Sequence, residues 1–166
     1  MQRRKMLSVG PVLAIVAGVI LSFAPMATAQ SDNSANQIEG TWRVQITFVN
    51  CDTGAPTGQV AQGMNTFIHG GTMVGTPSAP SVVIRNGNGV WVHTGGQSYL
   101  NRLVFFTYSG AGAPTGRQET LRRIELGPGP DEYTSADVVT FVDPAGNKTA
   151  GPCVSGHGTR MKVDED

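Results

Sequence analysis

Within the segment Thr41–Val49 the chain alternates without a break as far as Phe48. Trp42, Val44, Ile46 and Phe48 fall on one face, and Arg43, Gln45 and Thr47 on the other. A period of two with one apolar side predicts a half-buried β-strand. Similar segments recur and predict seven more strands, at 62–69, 72–75, 89–94, 98–108, 117–126, 132–142 and 153–163. Gly70-Gly71 and Gly95-Gly96 join neighbouring segments as tight hairpins, because two-residue turns need positive φ. Glycine and proline are too dense after residue 30 for a helix to persist.

The connections carry a second pattern. Those at 50–61, 76–88, 109–116 and 143–152 are long, and those between them are short. In an up-and-down meander alternate loops share one end, so the pattern predicts a tight base and a mouth with four long loops. Antiparallel partners keep a constant sum of residue numbers. Cys51 with Cys153 gives 204 and Trp42 with Arg160 gives 202. An offset of two is a diagonal neighbour on the same face. The first and last strands can therefore pair, which closes an all-β, eight-stranded antiparallel barrel and removes its edges.

The N-terminus reads as a targeting segment. Gln2-Arg3-Arg4-Lys5 is basic, 12–23 is apolar, and Ala27-Thr28-Ala29 is a small-residue cleavage site. Residues 1–29 are expected to be a secretory signal peptide, 30–37 a polar flexible leader and 38–166 the barrel domain. The apolar run is short for a membrane span, so no span is expected after cleavage. The location expected is periplasmic or extracellular. Nine basic against 12 acidic residues leave a mature net charge of −3, without the basic excess that nucleic-acid binding requires. Two cysteines in an exported chain predict one disulfide, Cys51–Cys153, closing a loop of roughly 100 residues. A free catalytic thiol is the alternative.

Gly40, Trp42 and Arg160 together resemble the calycin superfamily, and lipocalins in particular. These barrels open their first strand with Gly-x-Trp, and the tryptophan packs at the closed base against an arginine of the last strand. Asp131-Glu132-Tyr133 is a loose counterpart of the family's middle motif. The chain departs from lipocalins in having no room for a helix after the last strand, and a second Gly-x-Trp occurs at Gly89-Val90-Trp91. The resemblance implies a binding protein with a small hydrophobic or amphipathic molecule in the lumen. A barrel-type cyclase or isomerase, a dirigent-type barrel, an interaction or inhibitor module acting through the mouth loops, and a β-sandwich are the alternatives.

Candidate chemistry is sparse. No nucleophile motif, phosphate cradle or metal-ligand spacing occurs, so no catalytic residue, cofactor or metal is assigned, and an enzyme is disfavoured. His69 and His93 fall near base turns and His157 on the outer face of the last strand. Ile46, Phe48, Trp91 and Phe105 are candidates to line a ligand cavity, with Arg102, Arg122 and Asp137 as a paired polar floor suited to a carboxylate-bearing ligand. The competing reading puts those charges on the solvated outer face, because neither side of 117–126 is cleanly apolar. Gly156 and Gly158, facing inward if Arg160 does, suit open volume in the wall.

Overall fold

The structure is a computed structural model and describes residues 37–78 and 84–163. The expected signal peptide, the leader up to residue 36 and the acidic tail 164–166 lie outside the described residues. Eight antiparallel strands form one closed barrel in chain order: β1 (Gly40–Val49), β2 (Pro56–Ile68), β3 (Thr72–Pro77), β4 (Gly87–Gly95), β5 (Ser98–Tyr108), β6 (Pro114–Leu126), β7 (Glu132–Val142) and β8 (Lys148–Arg160). This up-and-down barrel is the architecture the calycin resemblance implies. Among the described residues no helix is long and apolar enough to cross a membrane.

The seam is the pairing of β1 with β8. Trp42 faces Arg160, Val44 faces Gly158 and Val49 faces Cys153, so the whole ladder keeps the sum of 202. Cys51 lies two residues past Val49 and reaches Cys153 diagonally, with 5.2 Å between the Cα atoms. Cys153 neighbours the buried Val154 in sequence, so alternation puts the bridge on the outer side of the seam, at the mouth. It closes a separation of 102 residues, and native bridges of this kind stabilise by about 2–4 kcal/mol, chiefly by restricting the unfolded chain.

Six strands are longer than the pattern predicts, β1 by one residue and β2, β3, β4, β6 and β8 by two or more, because prolines and glycines read as loop lie inside them. Pro56 and Pro114 open β2 and β6. The first residue of a strand is a position where a missing N–H is tolerated. Pro152 sits in β8 where its ladder with β7 shifts register between Val138 and Thr140, the other place a proline fits. The mouth loops shrink accordingly to 50–55, 78–86, 109–113 and 143–147, and the base turn at 127–131 is as long as two of them. The strand β8 ends at Arg160, not at Val163.

The base is closed by one arginine and one tryptophan. Arg160 stacks over the Trp42 ring at 4.2 Å. It donates to the Pro130 carbonyl from Nε and Nη2, at 3.1 and 2.9 Å, and to the carbonyls of Glu39 and Gln37 from Nη1 and Nη2. Gln37, expected to belong to a flexible leader, is thus tied to the barrel. Trp42 is fully buried, and its Nε1 donates to the Ile38 carbonyl at 2.8 Å. The glycine of Gly-x-Trp has a local reason: Gly40 has φ +118°, and a Cβ there would stand 2.9 Å from Arg160 Nη1.

Asp131 completes the closure, at 3.2 Å from Arg160 Nε and 2.7 Å from Lys162 Nζ. The hydrogen bond from Lys162, supported by the charges of Lys162 and Arg160, holds its carboxyl below the usual aspartate range. A depressed carboxylate stabilises the fold above its unfolded pKa, about 4, and the contribution is lost as pH falls through the lower folded value. Asp131→Asn is therefore expected to lower stability slightly in the neutral region and to converge on the parent in strong acid, which flattens the limb between them. An acid limb that overlays the parent in urea unfolding across pH 2–6 contradicts the contact.

Candidate functional site

The inward positions divide the barrel into three zones. The lowest is filled. Trp42, Phe67, Trp91, Tyr99 and Tyr133 are all buried there, with Met73, Ile124 and Leu126 beside them. Trp42 and Tyr133 pack at 5.0 Å between ring centroids, and Phe67 meets Trp91 and Tyr133 edge-on at 6.3 and 6.4 Å. Trp91, expected to line a cavity, belongs to this plug. Its Nε1 donates to the carbonyls of Ile68 and Thr72, at 3.1 and 2.9 Å, so the second Gly-x-Trp ties down the β2–β3 turn.

The inward glycines make room for neighbouring side chains, the Tyr133 ring among them, where the sequence reading had open volume in the wall. A Cβ on Gly158 would lie 2.2 Å from Tyr133 Cε1, one on Gly156 would lie 2.5 Å from Ser135 Oγ, and one on Gly75 would lie 2.6 Å from Leu103 Cδ2. Contacts that short would overpack the core.

Above the plug runs a buried polar row. Asn101 on β5 pairs with Arg122 on β6, and Arg122 pairs with Asp137 on β7. Arg122 and Asp137 are 5% and 4% exposed. Both Nε and Nη2 of Arg122 reach the same carboxylate oxygen, Asp137 Oδ2, at 2.7 and 2.6 Å. The remaining Nη1 is met by Asn65 Oδ1 when that amide is oriented with its oxygen toward the donors. The same oxygen then accepts from the Tyr133 hydroxyl at 3.0 Å. Burial works against the charge on Arg122, yet Asp137 and Tyr133 beside it hold its pKa above the ordinary arginine value. Burial also pushes the Tyr133 hydroxyl up, so it stays protonated. Four groups of this zone remain without a partner: both amide atoms of Asn101, Ser135 Oγ and Asp137 Oδ1.

The third zone is the mouth. On β6 and β7 the next inward pairs above Arg122 and Asp137 are Thr120 with Val139 and then Gln118 with Phe141. Val139 is buried, but Phe141 is 41% exposed. Ile46 and Phe48 are only half-buried at the same end of β1, and Phe105 is buried against Gly87. A cleft of about 520 Å³ opens here, lined by Ile84, Thr107, Tyr108, Gln118, Phe141 and Thr149 among others. Ile84 bridges to Thr107, and Arg85 stacks on the Tyr108 ring at 4.3 Å, which brings the end of the 78–86 loop over the rim. A second groove of similar volume runs along the outer wall between Arg43, Gln45, Gln62, Met64 and His157. Its walls are the outward, mostly polar positions of adjoining strands.

Arg102 does not join the polar row. It lies on the outer face, 59% exposed, with Nη2 at 2.6 Å from Glu119 Oε2, while Arg117 Nε holds the other oxygen at 2.8 Å. Those two hydrogen bonds keep the Glu119 carboxyl below its usual range. One residue of parity separates Arg102 from the inward Asn101, and cross-strand partners decide the face: Arg102 finds an acid outside and Arg122 finds one inside. Asn65, Asn101, Thr120 and Ser135, all buried and polar, were absent from the sequence-derived site. The only signal for Asn101 was its alternation with Tyr99, Leu103 and Phe105.

The histidines stay apart. His69 Nδ1 contacts Glu39 Oε1 at 2.9 Å, His93 Nε2 lies 2.9 Å from the Gly96 carbonyl, and His157 is exposed on β8. Among the described residues no three His, Cys, Asp or Glu side chains gather as a metal-binding group.

No protein-family profile matches the chain, and no curated protein matches it in sequence. Among solved structures it is similar to a redesigned β-barrel, with 15% identity and a TM-score of 0.44, over 78% of this chain and 96% of that one.

Proposed function

We propose that this protein is an exported, lipocalin-like binding protein that holds a small, mostly apolar molecule in the mouth half of its barrel. The observation that carries the reading is the division of the interior. The base is filled by Trp42, Tyr133 and their neighbours, whereas Phe141 remains accessible in a cleft of about 520 Å³ at the mouth, and Phe48 and Ile46 are half-buried at the mouth end of β1. That volume falls within the range of small-molecule sites, and half-exposed aromatics at a rim are surface that a ligand would cover. The Cys51–Cys153 bridge supports an oxidising compartment, in line with removal of residues 1–29 on export.

A neutral apolar dye, N-phenyl-1-naphthylamine, tests the site. It is expected to bind the protein with a rise in fluorescence. Phe141→Arg, at a position that already meets solvent, should weaken that binding at least about tenfold, the equivalent of 1.4 kcal/mol, with unfolding unchanged. Dye binding unaffected by Phe141→Arg, or no binding at all, contradicts the proposal.

A second reading, a barrel-type enzyme, draws on the buried Arg122, Asp137 and Tyr133. It is weaker, because Arg122 and Asp137 are committed to each other and the ring of Tyr133 is packed in the plug.

A further inference from the structure

The polar row beneath the mouth has more hydrogen-bonding capacity than the protein uses. Buried polar atoms are almost always satisfied, and each exception needs a reason. Here the exceptions fall together. Asn101 and Asp137 flank Arg122 in one cross-strand row, and Ser135 is the next inward residue of β7. Asn101 is 1% exposed and offers both a donor and an acceptor, Asp137 Oδ1 offers an acceptor, and Ser135 Oγ offers either. From Asp137 to the accessible Phe141 is four residues of strand, about 13 Å, the length of a short alkyl chain.

The charges of the row are already balanced. The Arg122 guanidinium is occupied by Asp137 Oδ2 on two of its nitrogens and by Asn65 on the third. An incoming carboxylate would find no free arginine and would face the unpaired Asp137 Oδ1 at close range. An incoming ammonium would add a net charge to a neutral, buried site. Both carry a desolvation penalty that nothing present offsets. An uncharged group with a donor for Asp137 Oδ1 and an acceptor for the Asn101 amide carries neither. This replaces the carboxylate-bearing ligand expected from the arginines alone.

We propose that Asn101, Ser135 and Asp137 Oδ1 form a subsite for an uncharged hydrogen-bonding head group, a primary amide or alcohol, on a ligand whose apolar body lies toward Phe141 and Phe48. The assignment rests on the mouth-binding reading above and specifies its ligand class.

The test is displacement of N-phenyl-1-naphthylamine from the disulfide-bonded protein at pH 8 by three probes of one chain length: decanamide, 1-decanol and decanoate. Decanamide and 1-decanol should compete at least about tenfold better than decanoate, the equivalent of one buried hydrogen-bonding mismatch. Asn101→Leu should shrink that preference, with each probe's displacement read against the dye affinity of the same variant. Asp137→Asn, which frees Arg122 from its counter-charge, should shift preference toward decanoate. Equal competition by all three probes, or decanoate strongest in the parent protein, overturns the subsite and leaves mouth binding standing. A dye that does not bind, or that no probe displaces, overturns both. The ranking is read in the unsubstituted protein, so it holds even if a variant fails to fold.

Discussion

Trp42→Ala is expected to lower unfolding free energy by about 3–5 kcal/mol, the range for truncating a buried tryptophan. Domains of this size are typically stable by about 5–15 kcal/mol, so the loss approaches the whole of a marginal fold. The size follows from the position of the ring. It is sealed by Arg160 on one side and Tyr133 on the other, and its indole N–H is bonded to Ile38. Arg160→Ala should cost about 2 kcal/mol through the cation–π contact alone, and more as the carbonyls of Gln37, Glu39 and Pro130 lose their donor. In the double variant the losses should fall short of additivity by about 0.5–3 kcal/mol, since each substitution already removes the shared contact. Strict additivity in urea unfolding would show that the two side chains do not stabilise one another.

The second large effect is at the polar row. Asp137→Ala leaves Arg122 charged, buried and unpaired, and is expected to cost about 3–5 kcal/mol. Replacing both partners by apolar residues of similar volume, Arg122→Met with Asp137→Leu, should recover most of that loss or exceed the parent, because the desolvation penalty of two charges disappears with them. The pair is thus a poor device for stability, and its retention inside a barrel is understandable if it organises polar groups around it. An Asp137→Ala variant within about 1 kcal/mol of the parent would mean that water reaches Arg122 and that the pair is not buried.

How far these features could be read from the chain varies by strand. The strand β1 was legible because its faces differ, apolar at Trp42, Val44, Ile46 and Phe48 and polar at Arg43, Gln45 and Thr47, and its seam with β8 because the pairs Trp42–Arg160 and Cys51–Cys153 nearly share one residue-number sum. Strands β5 and β6 were not. On β5, Leu100, Val104 and Phe106 face outward opposite Tyr99, Leu103 and Phe105 facing inward, so hydrophobicity does not choose between the faces. On β6, Arg122 and Arg123 are chemically equivalent neighbours, and only the partner across the ladder, Asp137 for one and Ala136 for the other, tells which is inside. Pairing of that kind is a property of register, which a single strand does not carry.

Glycine misled in a different way. Inside β8 it signals a missing side chain, and the sequence cannot say whether a ligand or a neighbouring ring takes up the space. At Gly158 it is the ring of Tyr133, supplied by the adjacent strand. The lower lumen is accordingly a plug, and the accessible inward aromatic is Phe141 at the mouth. Of the three positions expected to form a polar floor, Arg102 is outside, and Arg122 and Asp137 are paired with each other.

The most direct test of a barrel plugged below and ligand-bearing above is native mass spectrometry of the protein purified from its own source with the disulfide intact. The predicted spectrum shows a noncovalent 1:1 adduct of a small molecule that disappears on denaturation, and the emptied protein takes up one equivalent of decanamide. A spectrum with the bare polypeptide mass alone, unchanged by excess decanamide or dye, would contradict the account.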